Sequence, residues 1–401
     1  MKSRINILYI YHVSTFGGGS FCLLNIVKKL DRENFNPIVL LKKTGPLSSE
    51  LEKLGVTVYF EKTISTVPYN RGIFKKGAFT QILKMIFSLS KIKYWIQKTN
   101  ADIIHINTMM MYPYAISAQN LGKKVIIHVR EHWPKDENKY QFKIAHKVIS
   151  KYTDKIIAIN KSSAEIINLP HKTEIIYDWI DFENRDNFMD FEKIIGADHK
   201  LIKTFLFLGG MQKIKGALEV VEVFSEYIHK DNVRLLFVGC EDKNFDHKGY
   251  QAKIKSILRL IDRPVYSDKI KKIAQKDERI VFLPATNHVK SLIEQSFCLV
   301  SYFTIPHANL PIAEATWLGV PTISANTPES IEYCADAKST LLFEINNKEE
   351  FKNTLLFAIR NEKFINTNAS IKMTVIRDKF DPVNNSALLN KVYIDLLNNT
   401  N

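Results

Sequence analysis

The feature that most limits the fold of this chain is an alternation. Short, uniformly apolar runs rich in β-branched residues recur along it, each separated from the next by a stretch of helical periodicity. The first half predicts strands over Ile5–Tyr11, Asn36–Leu41, Thr57–Phe60, Ile103–Ile106, Lys124–Val129 and Lys155–Ile159, with helical stretches such as Ser20–Leu30 between them. Strands that are apolar throughout are buried on both faces, which is the pattern of a parallel sheet layered by helices. The alternation restarts near Thr204, with Thr204–Leu208, Val233–Val238, Ile280–Leu283, Cys298–Ser301 and Thr322–Ser324. The chain therefore reads as two successive doubly wound α/β domains facing a cleft. A polar, charged and weakly periodic stretch over 180–200 marks the boundary, giving domains over 1–185 and 186–378. A length of 401 residues suits two or three domains at roughly 100–200 residues each.

Composition narrows the partners. Lys and Arg number 56 against 42 Asp and Glu, a net charge of +14. That surplus favours nucleic acid, an anionic membrane or phosphorylated substrates. No nucleic-acid recognition motif accompanies it, so nucleic acid is not expected as a partner. The four cysteines (Cys22, Cys240, Cys298, Cys334) form no CxxC and no zinc-ligand spacing. They read as reduced core residues of a cytoplasmic protein without a metal site. The N-terminal MKSRINILYIYHVS reads as a first strand rather than a signal peptide. No apolar run reaches the roughly 18 residues of a membrane-spanning helix.

In open α/β sheets ligands bind beyond the carboxyl ends of the strands, so the chemistry is sought in the loops that follow them. Gly17-Gly18-Gly19-Ser20 follows the first strand and opens an apolar helix. Consecutive glycines admit close backbone approach, and a helix N-terminus offers free N–H groups to an anion. The loop is neither GxGxxG nor a Walker A motif; a plain tight turn is the other reading. Gly209-Gly210-Met211-Gln212-Lys213-Ile214-Lys215-Gly216 repeats the theme with two lysines, either solvated or set against a phosphate. The densest stretch is Pro306-His307-Ala308-Asn309-Leu310-Pro311-Ile312-Ala313-Glu314-Ala315. Pro311 suits the first turn of a helix running to about Leu318, closed by Gly319 and Pro321, which places Glu314 in that first turn. There its carboxylate either complements the helix dipole or points at a ligand. His128-Val129-Arg130-Glu131-His132 gathers charge after a strand over Lys124–Ile127.

Together these pieces resemble the GT-B fold glycosyltransferases of family 4, over nearly the whole chain. Gly17–Gly19 is similar to the family's Gly-rich first loop. Gly209 to Gly216 resembles "GRLxxxKG", and Pro311 to Ser324 resembles "PxxEAxxxGxPVIA". Smaller echoes are the strand end at Ile156–Ser162, the Ile175–Asp181 stretch and Pro328-Glu329. Two positions depart from the pattern. The family's diphosphate-binding Arg falls at Gly210, leaving Lys215, and the first Glu of its E-x7-E motif falls at Pro306, leaving Glu314.

The resemblance implies a retaining, metal-independent hexosyltransferase that takes a nucleotide-diphosphate sugar, UDP-sugar favoured, without a cofactor. Lys215, Glu314, His128 and Arg130 are its implied catalytic residues. The donor would contact Gly17, Gly18, Gly19, Gly209, Gly210, Lys215, Thr286, His307, Ala308, Asn309, Leu310 and Glu314. The backbone around Pro284–Asn287 would hold the base. Either His128 or Arg130 aligns with a family histidine near the anomeric carbon, and a structural ion pair is the alternative for each. His307 either replaces a donor contact or is a core or capping residue. His105 and Asn107 are further candidates on the acceptor side. The last segment, 379–401, would form a helix returning to the first domain. The local PHxxxPxxEA form is similar to a subgroup of bacterial surface-polysaccharide synthesis, which implies a glycan or lipid-linked acceptor. Alternatives are a GT-B nucleotide-sugar epimerase and a catalytically weak sugar-nucleotide-binding partner subunit.

One further stretch concerns location. From Lys62 to Ala101 no acidic residue occurs, while Lys62, Arg71, Lys75, Lys76, Lys84, Lys91, Lys93 and Lys98 are basic. Ile82, Leu83, Ile86, Phe87, Leu89, Ile92, Trp95 and Ile96 recur there at helical spacing. This reads either as a helix packed on the sheet with a solvated face, or as a peripheral attachment to the anionic inner leaflet of the plasma membrane.

Overall fold

The computed structural model describes residues 4–67, 78–133, 139–182, 189–196, 198, 200–240, 266–286, 288–334 and 340–398. Two compact units divide the chain: 1–179 with 380–401, and 180–379. The first break falls a few residues before 185 because Trp179 is buried in the first unit's core. The second break, at Phe380, follows the same logic, since that ring packs on Tyr177, 5.2 Å between centroids.

In the first unit the strands are β1 (Ile5–Tyr11), β2 (Phe35–Leu41), β3 (Thr57–Phe60), β4 (Ile103–Ile106), β5 (Lys124–Val129), β6 (Lys155–Ala158) and β7 (Thr173–Ile175). They form one parallel sheet in the order β3-β2-β1-β4-β5-β6-β7. The second unit holds β8 (Lys203–Leu208), β9 (Val233–Val238), β10 (Ile280–Leu283), β11 (Cys298–Ser301), β12 (Thr322–Ala325) and β13 (Leu341–Phe343), parallel, in the order β10-β9-β8-β11-β12-β13. Eleven of these strands lie where the apolar runs predict them. The edge strands β7 and β13 were not anticipated: three residues are too few to carry a period.

Both faces of each sheet are covered. Along β8, Phe205 and Phe207 enter one apolar cluster with Phe237, while Leu206 enters another with Leu236 and Leu299. The helix Pro382–Asn398 adds Leu389, Val392, Tyr393 and Leu396 to the core around β1. The strand order reverses between β1 and β4 in one unit and between β8 and β11 in the other. Each reversal opens a crevice at the carboxyl end of the unit's first strand, where such folds take ligands. Gly17–Gly19 and Gly209–Gly210 stand at those two points.

Candidate functional site

In the second unit, Gly209 and Gly210 leave β8 and lead into a single 3₁₀ turn, Lys213–Lys215, before the helix Ala217–Tyr227. The turn must lie flat on the end of β11. A Cβ at Gly216, where φ is +67°, would sit 2.2 Å from the Tyr302 carbonyl oxygen, so only glycine fits. This close seating brings Lys215 into a small cavity lined by Gly209, Val300, Ser301, Phe303 and Pro311. Burial holds the Lys215 ammonium below its ordinary pKa, and the charge of Glu314 pulls it back up.

Gly210, the position that the resemblance aligns with an Arg, takes a left-handed backbone. Its φ is +55°, and a Cβ there would lie 2.9 Å from the Gly239 carbonyl oxygen. Gly239, with φ +88°, packs back against it. A side chain at Gly210 would therefore be strained against the end of β9.

The third motif folds as the helix Leu310–Trp317, with Asn309 at its N-cap. The Ile312 N–H donates to the Asn309 carbonyl at 3.0 Å, which starts the helix one residue before Pro311. Glu314 is consequently its fifth residue, past the first turn in which it was expected, and is only 7% exposed. Leu318 and Gly319 (φ +75°) close the helix as anticipated. Asn309 is fully buried and its amide is spent inside the protein. It accepts from Ser301 Oγ at 3.0 Å and donates to Ser324 Oγ at 3.2 Å and Ser330 Oγ at 3.3 Å. Thr327 accepts from the Ser330 N–H at 3.1 Å. This hydroxyl network ties the ends of β11 and β12 to the Glu314 helix. It escaped the sequence reading, whose one available signal was a serine closing each of two apolar strands. His307 packs with its ring tilted against Phe303, 5.1 Å between centroids, and Ala308 and Leu310 are half-buried nearby in the chain. Thr286 Oγ1 accepts from the His288 N–H at 3.2 Å; Asn287 lies outside the described residues.

In the first unit, the helix after β1 spans Gly18–Lys28, two residues earlier than expected. The Gly17 carbonyl takes the N–H groups of both Ser20 and Phe21, drawing Gly18 and Gly19 into the first turn. Nothing stands within 4 Å of where a Cβ would be on Gly17 or Gly18, whereas Gly19 presses on the Tyr11 hydroxyl.

His128 lies inside β5 rather than after it, and is buried. Arg130 forms an ion pair with Asp178 and reaches Asn107 Oδ1 at 3.4 Å and His128 Nδ1 at 3.2 Å. The Asp178 carboxylate keeps the guanidinium charged against its burial, and burial with that same guanidinium keeps His128 neutral. The structural ion pair, one of the two readings for Arg130, is thus present in the fold. His105 is fully buried, its pKa pushed down to about 3 by burial and by Arg130, and its Nδ1 shares a 2.7 Å hydrogen bond with Tyr393 Oη. It faces the core, not an acceptor. Tyr9 Oη meets Tyr393 Oη at 3.1 Å, so one buried polar chain runs from β1 to the last helix. Asp178 and Tyr393 were missed by the sequence reading; Asp178 lay within the Ile175–Asp181 echo, and Tyr393 had no local signal.

The helix Ala78–Lys98 turns a mixed face outward. Ile92 and Ile96 enter the core, while Leu83, Ile86, Phe87 and Tyr94 are exposed beside Lys84 and Lys91. The expected single apolar face is therefore divided between core and surface. Arg71, Lys75 and Lys76 lie outside the described residues. Among the described residues no group of three His, Cys, Asp or Glu is placed to hold a metal ion, and no helix is long and apolar enough to cross a membrane.

Residues 16–184 match the family described as Glycosyltransferase Family 4, and residues 192–372 match Glycosyl transferases group 1. The chain belongs to the GT-B glycosyltransferases of family 4 type. Its fold is shared with Anabaena HepE in complex with UDP-glucose (TM-score 0.74, 17% identity, 98% of this chain and 100% of that one). A glycosyltransferase from Rickettsia africae aligns at TM-score 0.70, with 18% identity over 99% of this chain and 100% of its own. A putative UDP-N-acetylglucosamine 2-epimerase from Listeria monocytogenes aligns at TM-score 0.60, with 13% identity over 100% and 98%. A comparison with curated proteins finds no match.

Proposed function

We propose that this glycosyltransferase is retaining and metal-independent, and that it moves a sugar from a UDP-linked donor to a lipid-linked glycan acceptor in bacterial surface-polysaccharide synthesis. The observation that carries this reading is the placement of Lys215 in a small cavity at the β8/β11 crevice, beside strand-end Gly209 and Ser301 and the first turn of the Glu314 helix at Pro311. A half-buried lysine beside strand-end glycines is suited to offset the charge that builds on a departing diphosphate. Glu314, acceptor-only when ionised, is suited to both hydroxyls of a ribose. Backbone groups at Pro284–Thr286 would hold the base. Among the described residues no side chain is placed as an obvious nucleophile, so in this proposal the acceptor hydroxyl attacks on the face the diphosphate leaves, and configuration is kept. HepE, whose structure holds UDP-glucose, supports the choice of UDP.

Melting curves with UDP, GDP and ADP test the donor, because a ligand of the native state raises Tm with its concentration over Kd. A shift with UDP is expected; its absence overturns the donor assignment. Incubation with UDP-sugars lacking acceptor should leave the sugar unchanged apart from slow hydrolysis, and conversion to an epimer would overturn transfer as the activity.

Peripheral membrane attachment is part of the same proposal. Phe87, Ile86 and Leu83 project from a helix whose charged neighbours are lysines, a pairing that fits an anionic bilayer, where each cation contributes about 1 kcal/mol. Salt-sensitive sedimentation with anionic but not neutral vesicles is expected, abolished when Lys75, Lys76, Lys84 and Lys91 become Glu. Wild type remaining in the supernatant at low salt would remove the membrane from the account.

A further inference from the structure

The first unit holds a cavity of about 240 Å³ that plays no part in the Lys215 and Glu314 site. At roughly 30 Å³ per water it has room for about eight. His12 reaches it from the end of β1, Lys42 from the end of β2, Ser65 and Thr66 from the loop after β3, and Gln81 and Lys84 from the helix Ala78–Lys98. The ends of β1, β2 and β3 each contribute a polar side chain, and among the described residues no carboxylate lines the space. Among the described residues neither lysine has an ion-pair partner.

The polar frame is fixed in place. Gln81 Nε2 donates to Thr66 Oγ1 at 2.7 Å, Ser65 Oγ donates to the Gln81 carbonyl at 3.2 Å, and the Ser65 N–H donates to Tyr114 Oη at 2.9 Å. Thr66 accepts in this arrangement, which leaves its own hydroxyl proton to a ligand. His12 Nδ1 is buried with no hydrogen-bond partner. Burial and the charge of Lys42 keep that ring neutral, its pKa lowered to about 4. Two lysines are point charges rather than planar forks, and with hydroxyl and amide groups around them they match the tetrahedral oxygens of phosphate better than a flat carboxylate.

We propose that this cavity binds a phosphate or diphosphate group carried by the acceptor. The assignment to an acceptor rests on the glycosyltransferase reading; the anion site itself stands on the cavity alone. The group could belong to a lipid diphosphate or to a soluble sugar phosphate, and the site chemistry is the same for both.

The test is calorimetric titration of the full chain with inorganic pyrophosphate while UDP saturates the second unit. Pyrophosphate should still bind. Lys42→Gln and Lys84→Gln should each weaken it at least tenfold and leave UDP affinity unchanged. In ¹⁵N-histidine spectra the His12 ring signals should move on addition of pyrophosphate, and should stay put in the double variant. No pyrophosphate binding beside bound UDP, or unaltered affinity in both variants, overturns the site. Should UDP itself fail to bind, the donor reading falls, and the same titration on Lys215→Ala still decides this one. Competition with a short-chain lipid diphosphate sugar and with a sugar 1-phosphate then separates the sources. Displacement by one of them names the acceptor class; displacement by neither overturns the acceptor role.

Discussion

The two units end their first strands alike, in glycines at a reversal of strand order, yet they settle buried charge in opposite ways. In the first unit Arg130 and Asp178 are each about a tenth exposed and neutralise one another, with Asn107 and His128 filling in around them. In the second unit Lys215 sits in a cavity with Glu314 as a counter-charge, and burial keeps its pKa down. A perturbed ionisable group in a crevice marks a site only when the fold leaves that group something to do. Arg130 is paired inside its own unit, whereas Lys215 lines a small cavity at the end of a strand.

Breaking the pair in the first unit should produce the largest effect. Arg130→Ala leaves Asp178 buried without its partner, a loss typically of about 3–5 kcal/mol. Urea denaturation checks it, and the Arg130→Met, Asp178→Leu double variant should recover much of the loss. A nearly wild-type midpoint for Arg130→Ala would mean that the cluster is not what holds this end of the sheet.

Lys215→Ala should do the reverse, sparing stability and lowering kcat by about 10²–10³, the usual cost of one lost contact to a developing charge. Near-normal turnover would erase the contrast between the units. Glu314→Gln is expected to weaken UDP binding by about 1–3 kcal/mol, since hydrogen bonds to charged groups are the stronger ones. Calorimetry giving wild-type affinity would return Glu314 to a purely structural part in its helix.

The smallest effect per residue should appear with pH. His105 and His128 are held neutral in the folded chain, His105 down to about pH 3. Unfolded, each takes a proton below about pH 6.5. Between those values the unfolded state binds more protons, so stability falls as pH falls through 6 and below. The slope approaches about 1.4 kcal/mol per pH unit for each histidine. Chemical denaturation from pH 7 to pH 5 measures it, and replacing His105 by Phe should flatten the curve. A curve unchanged by that substitution would show that His105 is not a source of acid lability.

Much of this molecule was legible in the order of residues. Apolar runs such as Ile5–Tyr11 and Val233–Val238 needed no tertiary information, because a strand covered on both faces can hardly be built otherwise. The glycine loops were visible for a related reason: Gly216 stands where no other residue fits against Tyr302. The edge strands β7 and β13 were too short to show a period. The division of the Ala78–Lys98 helix into core and surface residues depended on how it lies on the sheet.

By itself, then, the sequence determined two doubly wound domains, the loops that close their first strands, and the candidacy of Lys215 and Glu314, all of which are written in local periodicity and local chemistry. Only the tertiary structure decided which charges are spent. That Arg130 would be claimed by Asp178, 48 positions away, that Tyr393 would return to His105 across 288 positions, and that Asn309 would be locked among Ser301, Ser324 and Ser330 are all facts of long-range proximity. Hydrogen bonds and ion pairs act over a few ångströms of space and are indifferent to distance along the chain, so a residue's type announces what it can bond but not what it will meet.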